Sequence, residues 1–299
     1  MEKMSQAVIT TPLSLRKSGN FSFKRKAFNS FFKLFLYLSV SVTVLLLAFL
    51  IGYIFFRGIR CLNWNLLSTQ TSYLDNNIGI LPNILNTLYI IFLTLIIAIV
   101  LGIGSAIYLN EYAKNRKFIS LIEFAVETLA GIPSIIFGLV GMLIFTQILG
   151  LRQGILAGAL TLVIMILPII VRTTQEALKT VPQMYKDGSL ALGSTKWHMI
   201  RTVVLPNAKA GIITGVVLSI GRIVSESAAL LFTAGFGLNL NGFVESLQSS
   251  SATLTVALYV YASERGEIDV SFAISLVLLI ITLLINAFVN LFAKDNNKR

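Results

Sequence analysis

The chain has 299 residues, 56% of them hydrophobic and 12% charged, and a formal net charge of +11. A soluble domain of this length holds about 25% charged residues, so the composition excludes a solvated globular protein and describes a chain that crosses a membrane repeatedly. The positive balance is no nucleic-acid footprint. The basic residues gather at the ends of apolar runs, where they set membrane orientation.

Residues 1–32 are polar and basic without helical periodicity and read as a flexible tail on the inner side whose charge sets topology, with contact to anionic lipid headgroups as the lesser alternative. Residues 33–57 form the first transmembrane helix, with a charge-free core, Leu34–Phe56, too long for a cleavable signal segment. An external connection, 58–82, follows. Ile84–Asn110, Thr128–Leu151, Gln153–Val171, Ala210–Gly235 and Val270–Ala293 are five more spans, each near the ~20 residues that cross ~30 Å of hydrocarbon. Residues 291–299 are a second tail.

Nineteen of the 24 basic residues fall in the first tail with the adjoining Lys33, the second-to-third connection, the fourth-to-fifth connection and the last tail. Both termini are therefore expected in the cytoplasm. The fold class is an all-α membrane protein with six transmembrane helices. Cys61 and His198 are each alone of their kind, so neither a disulfide nor a metal site is expected.

The stretch from Arg172 to Lys209 is too apolar for disorder. It reads as two short helices, Pro182–Leu192 and Thr195–Leu205. Gly193 allows the bend between them, Ser194 caps the second, and Pro206 ends it. Met184, Leu192, Trp197 and Ile200 give this hairpin an apolar side fit for another protein. Pro133 should bend the third span. Gly102 and Gly104 offer surfaces for close helix packing. Glu123 and Glu127 share a helix face and are expected to pair with loop lysines.

Asp187-Gly188-Ser189, three residues, Gly193, nine residues, then Val203-Val204-Leu205-Pro206 resembles the cytoplasmic signature of ABC importer permeases. That pattern is Glu-Ala-Ala, three residues, Gly, nine residues, Ile-x-Leu-Pro. Gly193, Leu205 and Pro206 match outright, while Asp187, Gly188, Ser189 and Val203 depart from it. The resemblance implies the type I importer fold over 83–290 and a coupling hairpin, 182–206, that docks on a separate ATPase, with Trp197 among its contacts.

Asn86-Thr87-Leu88 with Leu101–Tyr112, Ile132–Leu139, and Arg222–Ala234 are similar to segments of one branch, the phosphate importer permeases. Ser225, Ser227 and Ala229 depart from that branch's Gly, Thr and Pro. The branch implies two copies of an ATP-hydrolysing subunit, which bind the ATP and Mg, together with a second related permease and an external phosphate-binding protein. This chain holds no G-x-x-x-x-G-K-[ST] phosphate cradle and no catalytic group, so by itself it is not an enzyme.

Arg222 and Glu226 stand in the otherwise uncharged run Ala210–Gly235, four residues apart and thus on one helix face. A charge at bilayer depth costs roughly 2.5–3.5 kcal/mol, which favours a protein interior or a substrate path. Arg222 is suited to forked hydrogen bonds to a tetrahedral oxyanion. Glu226 is expected to neutralise Arg222 at rest and to accept a hydrogen bond from a protonated phosphate oxygen, which would disfavour sulfate. Ser225 and Ser227 complete the expected passage lining. The alternatives are a structural ion pair in a non-transporting scaffold, a channel or secondary carrier, or an importer of molybdate, sulfate or phosphonate.

Overall fold

The computed structural model describes residues 22–72 and 77–295. Most of the first expected tail (1–21) and the last four residues of the second lie outside the described residues. The chain divides into two units, Met1–Tyr53 and Ile54–Arg299.

In the first unit a single helix, α1 (Ser22–Cys61, continuing into the second unit), starts well before the expected span. Residues 22–32 were expected as tail and are helical. No Pro or Gly interrupts 22–51, so a helix nucleated in the apolar core propagates backwards at little cost. Phe35, Leu38, Leu45 and Phe49 on it are all exposed, as suits a helix bathed in lipid.

The second unit begins with a short helix, α2 (Trp64–Ser68), and an antiparallel pair, β1 (Gln70–Ser72) and β2 (Asn77–Ile80). Then come α3 (Leu81–Ile107), α4 (Arg116–Ala130), α5 (Ser134–Gly141) and α6 (Ile155–Lys179). Two short helices, α7 (Gln183–Ala191) and α8 (Lys196–Met199), lead to α9 (Leu205–Val224), α10 (Ala228–Thr233), α11 (Phe243–Ser246), α12 (Leu254–Tyr259) and α13 (Ile268–Asp295). Four wide turns, with hydrogen bonds five residues apart, continue or precede these helices: Tyr108–Tyr112, Met142–Ile148, Ile200–Val204 and Val260–Glu264.

The central helix is α6, buried on most sides. A β-carbon added at Gly102 would lie 2.6 Å from Ile170 Cγ2, and one at Gly158 would lie 3.1 Å from Ile90 Cδ1. Both contacts have the same sequence offset, so α3 and α6 run parallel. Gly211 meets Ala177 and Gly215 meets Thr173, so α9 runs antiparallel to α6. The second, fourth and fifth spans therefore alternate as expected from charge, and the hairpin lies at the same end as the last turns of α3 and α6. A β-carbon added at Gly104 would meet no other side chain or helix within 4 Å among the described residues.

Pro133 bends the third span as expected, and sharply: α4 and α5 are bent by 102° across Gly131-Ile132-Pro133, because Pro133 cannot continue the ladder from α4 and stands at the N-cap of α5 instead. Two expectations need correction. The fourth span does not stop at Val171 but runs to Lys179, since charge ends a membrane core without ending a helix. The stretch after the fifth span, expected as an external connection, contains α11 and α12. Leu254, Val256, Ala257 and Tyr261 there are buried.

Candidate functional site

Arg222 and Glu226 are not on one helix face. α9 ends at Val224, and Ser225, Glu226 and Ser227 form a break before α10. The Glu226 side chain turns inward, 5% exposed, and one carboxylate oxygen accepts the Ala229 N–H at 3.1 Å. This carboxylate therefore serves the start of α10, where free backbone N–H groups attract an acid. Arg222 is exposed and makes no ion pair with Glu226. The expected neutralisation of Arg222 by Glu226 is overturned, as is the structural ion pair within this chain.

The break is held from outside. Thr255 Oγ1 donates to the Glu226 carbonyl at 2.9 Å. The segment leading to Thr255 is clamped by α3: the Asn83 and Asn86 side-chain amides both donate to the Ala252 carbonyl, at 3.0 and 3.2 Å, and Thr87 Oγ1 accepts the Leu254 N–H at 2.9 Å. These three buried side chains fix a backbone that no helix satisfies. In the sequence Asn86 and Thr87 carry only a resemblance, whereas in the fold they hold the segment Ala252–Leu254.

Asn207, Thr214, Leu218, Arg222 and Ser225 form one exposed stripe along α9 and its end, at helical spacing. Extending the α6–α9 register puts Arg222 level with Ile166, near the middle of α6. Among the described residues Arg222 stays exposed, and a β-carbon at Gly221 would meet open space. Ser225 is exposed beside Arg222 and donates to its carbonyl at 3.2 Å. Ser227 is half-buried.

The hairpin forms as α7 and α8. Gly193 makes the bend with φ +82°, a left-handed conformation suited to glycine. The cap of α8 is Thr195, which accepts the His198 N–H at 3.3 Å, rather than Ser194. Ser194 instead closes the bend by donating to the Ser189 carbonyl at 2.8 Å. Pro206 does not end a helix. The wide turn Ile200–Val204 carries α8 directly into α9, with Pro206 in the first turn of α9 and the Asn207 amide donating to the Val203 carbonyl at 2.7 Å. A widened turn accommodates the proline ring that a regular turn would exclude.

Of the expected apolar side, Met184, Leu192 (91% exposed) and Trp197 are bare, whereas Ile200 is fully buried in the chain's own core. Asp187, Gly188, Gly193 and Pro206 are exposed too, and Ser189 and Leu205 are half-buried. Asp187 accepts from the Gln183 amide at 2.9 Å.

Two contacts at the base of the hairpin were not foreseen. Lys186 on α7 pairs with Glu111 in the wide turn after α3, with their side chains 9% and 7% exposed. Lys196 on α8 sits 5.0 Å from the centre of the Tyr112 ring. Glu111 and Lys186 were visible as a lone acid at a span's end and a lysine on the hairpin, but 75 residues separate them. The acids of α4 do find basic partners, though on α6: Lys179–Glu123 at 3.6 Å and Arg172–Glu127 at 3.8 Å. They line an open cleft of about 230 Å³.

Residues 98–299 match the family described as the binding-protein-dependent transport system inner membrane component. The chain belongs to that family. It is a multi-pass membrane protein, a membrane subunit of an importer. It is 38% identical over 208 residues to the probable ABC transporter permease protein YqgI of Bacillus subtilis, covering 70% of this chain and 71% of that one. It is 29% identical over 270 residues to the phosphate transport system permease protein PstA of Haemophilus influenzae, covering 90% and 94%. A third relative, PstA 1 of Mycobacterium tuberculosis strain H37Rv, is 30% identical over 268 residues, covering 87% and 82%. Among solved structures, a chain of a bacterial alginate ABC transporter superposes with a TM-score of 0.66 at 13% identity, covering 92% of this chain and 97% of that one. A chain of the inward-facing MetNI methionine ABC transporter gives 0.60 at 20% identity, covering 73% and 95%. The fold is thus that of the type I ABC importer permeases.

Proposed function

We propose that this chain is the PstA-type permease subunit of an ATP-driven importer of inorganic phosphate, and that the Arg222 stripe of α9 lines the path of the anion. The observation that carries the reading is an arginine at mid-span that is exposed and makes no ion pair among the described residues. Such a charge facing hydrocarbon costs roughly 2.5–3.5 kcal/mol, so the stripe requires cover from protein or water. A second, related permease packed against this face supplies that cover, and the passage runs between the two. Within it Arg222 gives an anion two parallel N–H donors and a positive charge, while Ser225 adds a hydroxyl. Glu226 and Ser227 shape the break that presents them.

The likeness to the PstA permeases supports phosphate over molybdate, sulfate or phosphonate. With its carboxylate turned inward, Glu226 acts chiefly by setting the backbone. The N- and C-termini and the hairpin face the cytoplasm, where Met184, Leu192 and Trp197 dock on an ATPase present in two copies, which binds the ATP and Mg. An external phosphate-binding protein delivers the substrate.

The test is ATP-driven uptake of labelled phosphate by vesicles holding the assembled complex. Replacing Arg222→Gln removes about 1.5–3 kcal/mol of charge-assisted hydrogen bonding, so uptake should fall by roughly 10- to 100-fold. Unchanged uptake by an assembled variant refutes the role given to Arg222.

A further inference from the structure

The hairpin is joined to the rest of the chain along two routes. One is covalent: α8 runs through the wide turn Ile200–Val204 into α9, the helix that carries Arg222. The other leads to α3 and consists of side chains. Lys186 from α7 and Lys196 from α8 reach the same five residues, Tyr108–Tyr112, one through the Glu111 carboxylate and the other through the Tyr112 ring. Leu109 of that turn lies in one buried cluster with Met199, Ile200 and Val204 of the hairpin base. Both arms of the hairpin therefore hold the end of α3.

The Lys186–Glu111 attachment differs from the other ion pairs of the described residues. Arg172–Glu127, Lys179–Glu123 and Arg57–Asp269 join exposed side chains and are weak by nature. Lys186 and Glu111 are almost dry. An apolar contact is non-directional and tolerates sliding. A buried pair does not, because separation strands two charges away from water. Where α7 moves, the end of α3 must follow, or the pair must break at high cost. The contact falls on a widened turn, a helix segment able to change its winding. From there α3 runs parallel to α6 through the contact of Gly102 with Ile170, and it also meets the helix of Arg222 in the central core.

We propose that Lys186 and Glu111 are positioning residues for transport: their buried pair makes α3 move with the hairpin, so that a displacement imposed on α7 and α8 reaches both walls of the core, α3 and α9, together. This rests on the importer reading above, since the displacement is supplied by the docked ATPase. The pair does not touch the substrate. Without it, the hairpin drives α9 alone, and ATP hydrolysis continues with less phosphate moved per cycle.

The experiment compares phosphate uptake per ATP hydrolysed in vesicles holding the complete complex. The variants are Lys186→Met with Glu111→Leu, which replaces the pair by apolar side chains of similar volume, and Lys186→Glu with Glu111→Lys, which reverses it. The apolar double variant should assemble and hydrolyse ATP while uptake per ATP falls about fivefold or more. The reversed pair should regain at least half of the wild-type ratio. A purely structural contact predicts a different result, with uptake and hydrolysis falling together and the ratio unchanged. An unchanged ratio in the apolar variant, or no recovery in the reversed pair, overturns the proposal. If the apolar variant does not assemble, Lys186→Gln takes its place: a ratio reduced about fivefold in Lys186→Gln and regained in the reversed pair supports the coupling, and an unchanged ratio in Lys186→Gln or a collapsed one in the reversed pair overturns it. If the wild-type complex hydrolyses ATP without taking up phosphate, the importer reading fails first, which the variants alone would not reveal.

Discussion

At the base of the hairpin a lysine and a glutamate meet in a dry interior, whereas half a helix away Arg222 stands on a bare face with its nearest acid turned aside to cap a short helix. The first region is complete within one chain: charges are matched, the glycine bend is closed by Ser194, and Met199, Ile200 and Val204 are buried. The second is complete only when something else arrives. A charge that this chain neutralises serves to hold its own parts together, and a charge it leaves open is addressed to a partner or a ligand. That difference separates structural from functional charge here better than depth in the span does.

The comparison can be broken by measurements on the purified chain. The largest effect on stability belongs to Lys186→Met, which leaves the Glu111 charge buried without its counter-charge, with the neutral Asn110 amide still donating to it at 2.7 Å. Loss of one partner of a buried pair costs about 3–5 kcal/mol, visible as a markedly lower thermal midpoint in detergent. A change under ~1 kcal/mol would show that water reaches the pair.

Glu226→Ala comes next. It removes the acceptor of the Ala229 N–H at the start of α10, worth about 1 kcal/mol by analogy with helix caps, and hydrogen exchange of the α10 amides should quicken. Exchange at the wild-type rate would mean that Thr255 alone holds the break.

Glu127→Gln should cost no more than about 0.5 kcal/mol, because its partner Arg172 is exposed and already shares Glu176 at 3.2 Å. The smallest effect is expected of Arg222→Gln on the isolated chain, within about 0.5 kcal/mol of zero, although the same substitution should abolish most uptake in the complex. A large destabilisation of the isolated chain would place Arg222 among the structural charges and remove the contrast.

The spans were legible because lipid tolerates few charges, so their absence marks each apolar core. Their ends were less so. Arg172 and Lys179 stop a hydrophobic core and leave the helix of α6 intact. The hairpin was legible from Gly193 and the Leu205-Pro206 step, yet Pro206 was misread, since a proline in a first helical turn and one after a last turn look alike in sequence. Ser225-Glu226-Ser227 contains no Gly or Pro, and Arg222 with Glu226 at a spacing of four imitates a helical ion pair. Only tertiary bonds from Thr255 and the α3 asparagines reveal the break. Lys186 and Glu111 meet across 75 residues, a distance over which no local pattern carries information. The segment around Leu254–Tyr261 is too short to announce itself as a span, and it is buried because Asn83, Asn86 and Thr87 hold it down.

The most direct test of the central claim uses the chain's single cysteine to advantage. In a Cys61→Ser background, cysteines are placed one at a time at Thr214, Leu218 and Ser225 on the α9 stripe, and at Leu45 and Leu283 on exposed apolar faces. The assembled complex is then treated with a charged, water-soluble thiol reagent. The stripe positions should react and be protected by phosphate during ATP turnover, while the two apolar positions stay unlabelled. Labelling no faster on the stripe than at Leu45 and Leu283 would contradict an aqueous anion path past Arg222.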